Sequence, residues 1–382
     1  MQIVGLDIEH FLAEHWQKRP LLIRNPWADW RNPLEPDDLA GLACEQGVES
    51  RLITRNGDRL AVEAGPLPEA RFGELASGHW TLLVQAVNHY VTDVAMLVEP
   101  FRFIPDWRID DVMVSYATDG AGVGPHFDQY DVFLVQGLGR RRWRVGPRCN
   151  STTPLSPHDD LRLIADFEAT EDWILEPGDI LYVPPLYAHD GIAVGDDCMT
   201  YSIGFRAPSC AELVDGWGEH QADALLEEQR YADPGLERQA QPGEIAASAI
   251  DHLYSMTLEA LSDRDAFARW FGIHNSLPKY PDADWSPEQP IELEDARDRL
   301  AEGAPLYRNP ASRFSFMRQA PAVLLFVDGE CFDCVGDLAD LAELLCEGPV
   351  VQVDASLAAS ARALGLIKAL IDQGSLTFDD QD

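Results

Sequence analysis

The sequence predicts a mainly β core up to about residue 208, a helical region after it, and a smaller α+β module at the end. Three patterns carry this. Side chains alternate with period two in Arg140 to Val145 and again in Cys198 to Ile203, as strands with one buried face require. Past Pro208 the apolar spacing becomes helical, in Cys210 to Tyr231 and Gly243 to Phe271, with Ile250, Leu253, Tyr254, Leu258 and Leu261 on one stripe. Beyond the proline-rich stretch Leu277 to Pro290, helix candidates Leu338 to Cys346 and Leu357 to Asp372 alternate with strand candidates Val323 to Val327 and Val350 to Val353.

In chain order, Leu6 to Arg19 places Phe11, Leu12, His15 and Trp16 at helical spacing and stops before Pro20. Leu21 to Arg24 reads as a strand, and a second helix runs from Glu35 to about Cys44 with Asp37 and Asp38 in its first turn. Trp80 to His89 and Val94 to Val98 read as helical or buried apolar segments. Asp110 to Tyr116 is a strand, and the Gly-rich connection Thr118 to Gly124 can approach a ligand closely.

That connection leads into GVGPHFDQYDVFLVQGLGRRRWRVG. If Pro125 to Tyr130 is extended, His126 and Asp128 project to the same side and offer an imidazole and a carboxylate to one cation. A third ligand is available in LEPGDILYVPPLYAHDG, where Ile180 to Pro184 reads as a buried strand and His189 follows it. Two His and one carboxylate suit Fe(II) in a facial arrangement with positions left open, whereas zinc more often takes a fourth protein ligand or a hydrolytic water. A bare H-x-D triplet is common by chance, so the surrounding pattern carries the weight.

Strand parity singles out one arginine. Arg141 shares its face with Trp143 and Val145, so its guanidinium points inward, where an unpaired charge is costly. It is either a structural ion pair with a buried acid or a fork for a carboxylate ligand. In the last strand of the core, Thr200 and Ser202 share a small, polar face and are candidates to contact the same ligand.

With HWQKRPLLIRN, WTLLVQAVNHY, PDWRIDDVMVSY and MTYSIGFRAP, these stretches resemble the bacterial JmjC-type ribosomal oxygenases, a cupin-like family of ribosomal protein arginine hydroxylases. The resemblance runs from about residue 10 to 208. It implies a double-stranded β-helix, Fe(II) held by His126, Asp128 and His189, and 2-oxoglutarate held by Arg141, the arginine that strand parity selects. It also implies a helical dimerisation domain, hence a homodimer, and a winged-helix-like C-terminal module. A family asparagine stands where this chain has Thr200. The expected organisation is a catalytic domain over 1–208, a dimerisation domain over 209–276, a linker over 277–290 and the winged-helix-like domain over 291–382.

Composition sets bounds on partners. The 382 residues include 65 Asp plus Glu against 29 Lys plus Arg, and only Lys18, Lys279 and Lys368 are lysines. A formal charge of −36 repels phosphate backbones and attracts basic proteins, and acid-rich, lysine-poor surfaces also serve solubility in salty cytoplasm. Residues 281–382 hold 7 Arg plus Lys and 20 Asp plus Glu, the wrong balance for DNA contact by a winged helix. No apolar run reaches about 18 residues and no basic-then-apolar leader is present, so neither a membrane span nor a signal peptide is expected and the location is cytoplasmic. Seven scattered cysteines do not form a disulfide framework, and Cys331-Phe-Asp-Cys334 is an isolated pair.

The expected activity is Fe(II)- and 2-oxoglutarate-dependent hydroxylation of an arginine in large-subunit ribosomal protein sixteen, with O2 consumed. Asp110, Asp111 and Ser115 are the expected substrate contacts, and Asp110, in step with Val112 and Val114, is the acid expected to turn inward. The competing readings are a JmjC-type lysine demethylase and a metal-binding cupin scaffold without turnover. Product mass separates the first, and succinate formation the second.

Overall fold

The computed structural model describes residues 3–57, 59–75 and 78–378. Helix α1 (Ile8–Glu14), capped by the Asp7 carboxylate accepting from His10 N–H, precedes strand β1 (Leu21–Ile23) and helix α2 (Pro36–Leu42). A hairpin of β2 (Ser50–Asn56) and β3 (Arg59–Ala64) continues through helix α3 (Glu69–Glu74) to β4 (His79–Val84) and the short helix α4 (Thr92–Ala95). The stretch beginning at Trp80 is thus a strand as far as Val84. Its neighbours β2 and β5 (Ile109–Ala117) pair with both of its edges, and that tertiary pairing decides a local pattern that periodicity leaves open.

The core is completed by β6 (Asp131–Arg148), β7 (Glu171–Leu175), β8 (Ile180–Val183) and β9 (Tyr187–Phe205). The strand order is β1-β8-β6-β9-β5-β4-β2-β3, with β7 added on β6. All the pairings are antiparallel, and the two longest strands, β6 and β9, run alongside each other for most of their length. This is the double-stranded β-helix. One face of the sheet packs on the N-terminal elements, with Phe11, Phe101, Phe133, Tyr182, Tyr201 and Phe205 fully buried between them.

Strand β6 changes course at Gly137 and Gly139, where its register with β9 slips twice. A side chain at Gly137 would lie 2.5 Å from the Tyr201 ring, and Gly139 has φ +56°, so glycine is required at both. The slip inverts parity. Val132 and Leu134 face the cavity before it, and Arg141 and Trp143 face the same cavity after it.

Two compact units interleave along the chain. The first comprises Met1–Ala207, Pro278–Ser312 and Glu347–Asp382, and the second Pro208–Leu277 and Arg313–Cys346. The first therefore also holds α8 (Leu293–Ala301) and β10 (Leu306–Arg308). In the second, α5 (Cys210–Ala224) starts with a reciprocal capping box between Ser209 and Glu212, and α6 (Ala247–Leu261) and α7 (Arg264–Ser276) follow. The antiparallel sheet β11 (Phe314–Gln319), β12 (Ala322–Val327) and β13 (Glu330–Cys334) and helix α9 (Asp337–Leu344) complete it. Gly272 of α7 lets Phe326 approach so closely that a Cβ would sit 2.2 Å from its ring. Strand β14 (Val350–Val351), α10 (Ala355–Ala359), α11 (Ala361–Asp372) and β15 (Leu376–Thr377) return to the first unit.

The units cut across the expected sequential boundaries. Residues 281–290 carry neither helix nor strand, as a linker would, yet Lys279, Tyr280 and Trp285 pack within the first unit against Asp110, His89 and Tyr90. Among the described residues no helix is long and apolar enough to cross a membrane.

Candidate metal centre and cosubstrate cavity

His126 and His189 are joined backbone to backbone. His126 N–H donates to His189 O at 3.0 Å and His189 N–H returns the bond to His126 O at 2.9 Å. Pro125 to Tyr130 is not a regular strand, as Pro125 cannot donate to a ladder, so this single bridge replaces the expected pairing. Leu186 N–H donates to Asp128 O and fixes the other end of the triplet. The i, i+2 geometry survives, and the ligand atoms of His126, Asp128 and His189 all lie within 4.8 Å of one another.

The histidine tautomers follow from their outer partners. Nδ1 of His126 lies 2.9 Å from Gly124 O and Nδ1 of His189 lies 3.0 Å from Tyr187 O, so each Nδ1 carries the proton. Both Nε2 lone pairs then face Asp128 Oδ2, at 3.9 and 3.4 Å. Burial lowers the pKa of His189 to about 4, an effect reinforced by His126 and opposed by Asp128. The ring is therefore neutral at physiological pH, as a ligand must be. Two imidazoles and one carboxylate, oriented by second partners and free of thiolate, fit an octahedral divalent metal with an open face.

The triad opens on a cavity of about 470 Å³. Arg141 lies in its wall with 3% of its surface exposed, while Arg140 and Arg142 point outward and Arg142 pairs with Asp172. No carboxylate comes within 4.0 Å of Arg141 among the described residues, so the structural ion pair that sequence left open is not formed. Its Nη2 is buried without a partner, and its guanidinium stands 5.7 Å from the Trp143 ring centre. A buried, unneutralised fork beside a metal triad is built for an anion. Thr200 and Ser202 also line the cavity, and Thr200 Oγ1 donates to Gln136 Oε1 at 3.1 Å.

The substrate expectations divide. Ser115 lines the cavity, but Asp110 and Asp111 do not. The pairing of β5 with β9 is irregular between Ile109 and Val112, and Val112 and Val114 face the hydrophobic core, so the parity that turned Asp110 inward is wrong. Met113 and Ser115 carry the cavity face instead. Asp110 and Asp111 both bind the Lys279 ammonium, at 2.9 and 3.0 Å, and Asp111 also accepts from Ala86 N–H.

Several lining residues have no motif that announces them. Arg51 and Gln85 arrive from β2 and the end of β4, and Leu161 and Leu163 from a loop held by Ile164 N–H to Pro125 O. Tyr130, two residues beyond Asp128, also lines the cavity, and burial together with the neighbouring Asp128 carboxylate pushes its hydroxyl well above the usual phenol range. Gly191 is needed because a Cβ there would meet the Trp143 ring at 2.7 Å.

A model of the JmjC domain matches residues 96–213, and a ROXA-like winged-helix model matches residues 259–377. The chain is 42% identical over 303 residues to the ribosomal protein uL16 3-hydroxylase of Escherichia coli (strain K12), a match spanning 79% of this chain and 80% of that one. The X-ray structure of E. coli YcfD superposes with a TM-score of 0.90 at 36% identity, covering 99% of this chain and 100% of that one. YcfD in complex with cobalt and 2-oxoglutarate superposes with a TM-score of 0.88 at 35% identity, covering 99% of each chain.

Proposed function

This chain belongs to the bacterial JmjC-type ribosomal oxygenases, and we propose that it is an Fe(II)- and 2-oxoglutarate-dependent hydroxylase of an arginine side chain in ribosomal protein uL16. The observation that carries the proposal is the convergence of the His126, Asp128 and His189 donor atoms with the unneutralised Arg141 guanidinium in one cavity. When bound, the iron supplies activation of O2, coupled to decarboxylation of 2-oxoglutarate to succinate and CO2, for insertion of one oxygen atom into an unactivated C–H bond.

The chain's own residues supply position and environment. His126, Asp128 and His189 hold the metal from one side, and the carbonyls of Gly124 and Tyr187 keep both imidazoles turned towards it. Arg141 takes the distal carboxylate of 2-oxoglutarate through its buried fork, and Thr200 and Ser202 border the same ligand. Val132, Leu134 and Trp143 exclude water from the reacting end. Ser115 and Met113 line the wall open to the substrate side chain. The excess of acid over base favours approach of a basic ribosomal protein.

The remaining assignments are part of the same proposal. Helix α6 buries none of its residues, and its exposed Ile250, Leu253, Tyr254 and Leu258 support reading the 209–276 region as the dimerisation element of a homodimer, which we place in the cytoplasm. The test is incubation of the iron-loaded protein with 2-oxoglutarate, O2 and a uL16 peptide. The expected result is succinate formation stimulated by the peptide and a product heavier by one oxygen on arginine. Loss of a methyl group from a methyl-lysine peptide in its place would establish demethylation, and no succinate with any peptide would establish a scaffold.

A further inference from the structure

Arg141 holds its orientation through a cysteine. Its Nε donates to Cys198 Sγ at 3.3 Å, and Cys198 is wholly buried, packed with Ala117, Ala121 and Ala193. Gln136 Nε2 approaches the same sulfur at 3.6 Å while bonding Leu138 O and Met199 O, and Gln136 Oε1 takes the Thr200 hydroxyl. Two donors thus converge on the sulfur, which is Arg141's acceptor on the protein side. The buried Nη2 is left without a partner.

The chemistry of that acceptor matters. A carboxylate at residue 198 would form a bidentate pair with the guanidinium and cancel its charge. A thiol is a weak acceptor with no formal charge as the neutral acid, so it occupies Nε and fixes the plane of the fork without neutralising it. We infer that Cys198 is a positioning residue for the cosubstrate, which aligns the Arg141 fork by accepting from Nε and leaves its charge and its Nη2 donor for the distal carboxylate. This rests on the reading of Arg141 as the 2-oxoglutarate anchor.

The test is calorimetric titration of 2-oxoglutarate into the full chain loaded with Mn(II), for wild type, Cys198→Ser, Cys198→Ala, Cys198→Asp and Arg141→Met, with Mn(II) affinity measured alongside. Serine keeps an acceptor and should hold 2-oxoglutarate affinity within about twofold. Alanine removes it and should weaken binding about three- to tenfold, the span of a neutral hydrogen bond. Aspartate should weaken binding about a hundredfold, through capture of the guanidinium. Mn(II) affinity should stay within about twofold for serine and alanine, which a general structural lesion would not allow. If Cys198→Asp fails to fold, the serine and alanine pair decides alone. Arg141→Met weakening 2-oxoglutarate while Cys198→Ala matches wild type, or Cys198→Ser losing as much as Cys198→Ala, would overturn the role of Cys198. An Arg141→Met protein with unchanged affinity would instead overturn the anchor reading itself.

Discussion

The ammonium of Lys279 lies 2.9 Å from the carboxylate of Asp110, and 3.0 Å from that of Asp111. One of only three lysines in the chain therefore neutralises two adjacent acids, one of them nearly buried. Burial raises the pKa of Asp111, and Lys279 opposes that rise. Removing the cation leaves buried negative charge uncompensated, so Lys279→Met should destabilise the fold by about 3 kcal/mol at pH 7. A carboxyl whose folded pKa is raised contributes most below its unfolded value, and loses that contribution as pH rises through the folded one. The deficit of Lys279→Met should thus be largest at neutral pH and shrink on acidification, as Asp111 takes up its proton. Urea unfolding at pH 7 and near pH 4.5 measures it, and a deficit that stays constant or grows in acid would refute the assignment.

Arg141 provides a test of strand parity. Methionine keeps much of the stem but loses the fork, so Arg141→Met should weaken 2-oxoglutarate by tenfold or more, about 1.5–3 kcal/mol for a charge-assisted bond. Arg142→Met, whose arginine is exposed and paired with Asp172, should leave that affinity unchanged. Titration of both proteins decides, and the reverse ranking would mean that the fork is read from the wrong face.

What the sequence made legible follows the range of the interactions involved. His126, Asp128 and Arg141 were readable because i, i+2 spacing and period-two alternation are local, and parity held within the segment Arg140 to Val145. Parity failed at Asp110, where the irregular pairing of β5 and β9 interrupts the alternation and a lysine 169 residues away captures the acid. The hairpin of β2 and β3 and the strand beginning at His79 were missed because tertiary pairing, not local pattern, makes them strands. The contact between Arg141 and Cys198 spans 57 residues, and no periodicity announces it.

Replacing a metal ligand should remove metal and turnover together. His126→Ala, Asp128→Ala and His189→Ala each delete one of three donors, and should lower Mn(II) affinity by about two orders of magnitude or more, beyond the 10–100-fold typical of outer partners. Each removes little core volume, so circular dichroism should remain that of the wild type. A neighbour that is not itself a ligand predicts a graded effect: Tyr130→Phe removes a hydroxyl beside the Asp128 carboxylate but no donor to the metal, and should cost less metal affinity than Asp128→Ala. Equal losses for the two, or wild-type succinate formation by any two of the alanine variants, would contradict the triad.

The charge of the chain yields the last expectation. With 65 acidic residues against 29 basic ones, like charges crowd the folded surface more closely than they do in the expanded chain, so self-repulsion opposes folding at low ionic strength. The ion pairs that offset it at the surface, such as Arg318 with Glu343 and Arg51 with Glu49, are few beside the acids left over and are individually weak. Added salt screens both, but the unpaired repulsion is the larger sum. As the Debye length contracts from about 10 Å at 0.1 M to about 3 Å at 1 M, the net effect should be stabilising. The melting temperature measured in potassium chloride should climb across that range. The ion pair of Lys279 with the buried Asp111 is screened far less, so the Lys279→Met protein should show the same upward slope from a lower starting point. A flat or falling curve for the wild type would show that its acidic side chains are spaced widely enough not to strain the fold, and that their excess is kept for the basic partner alone.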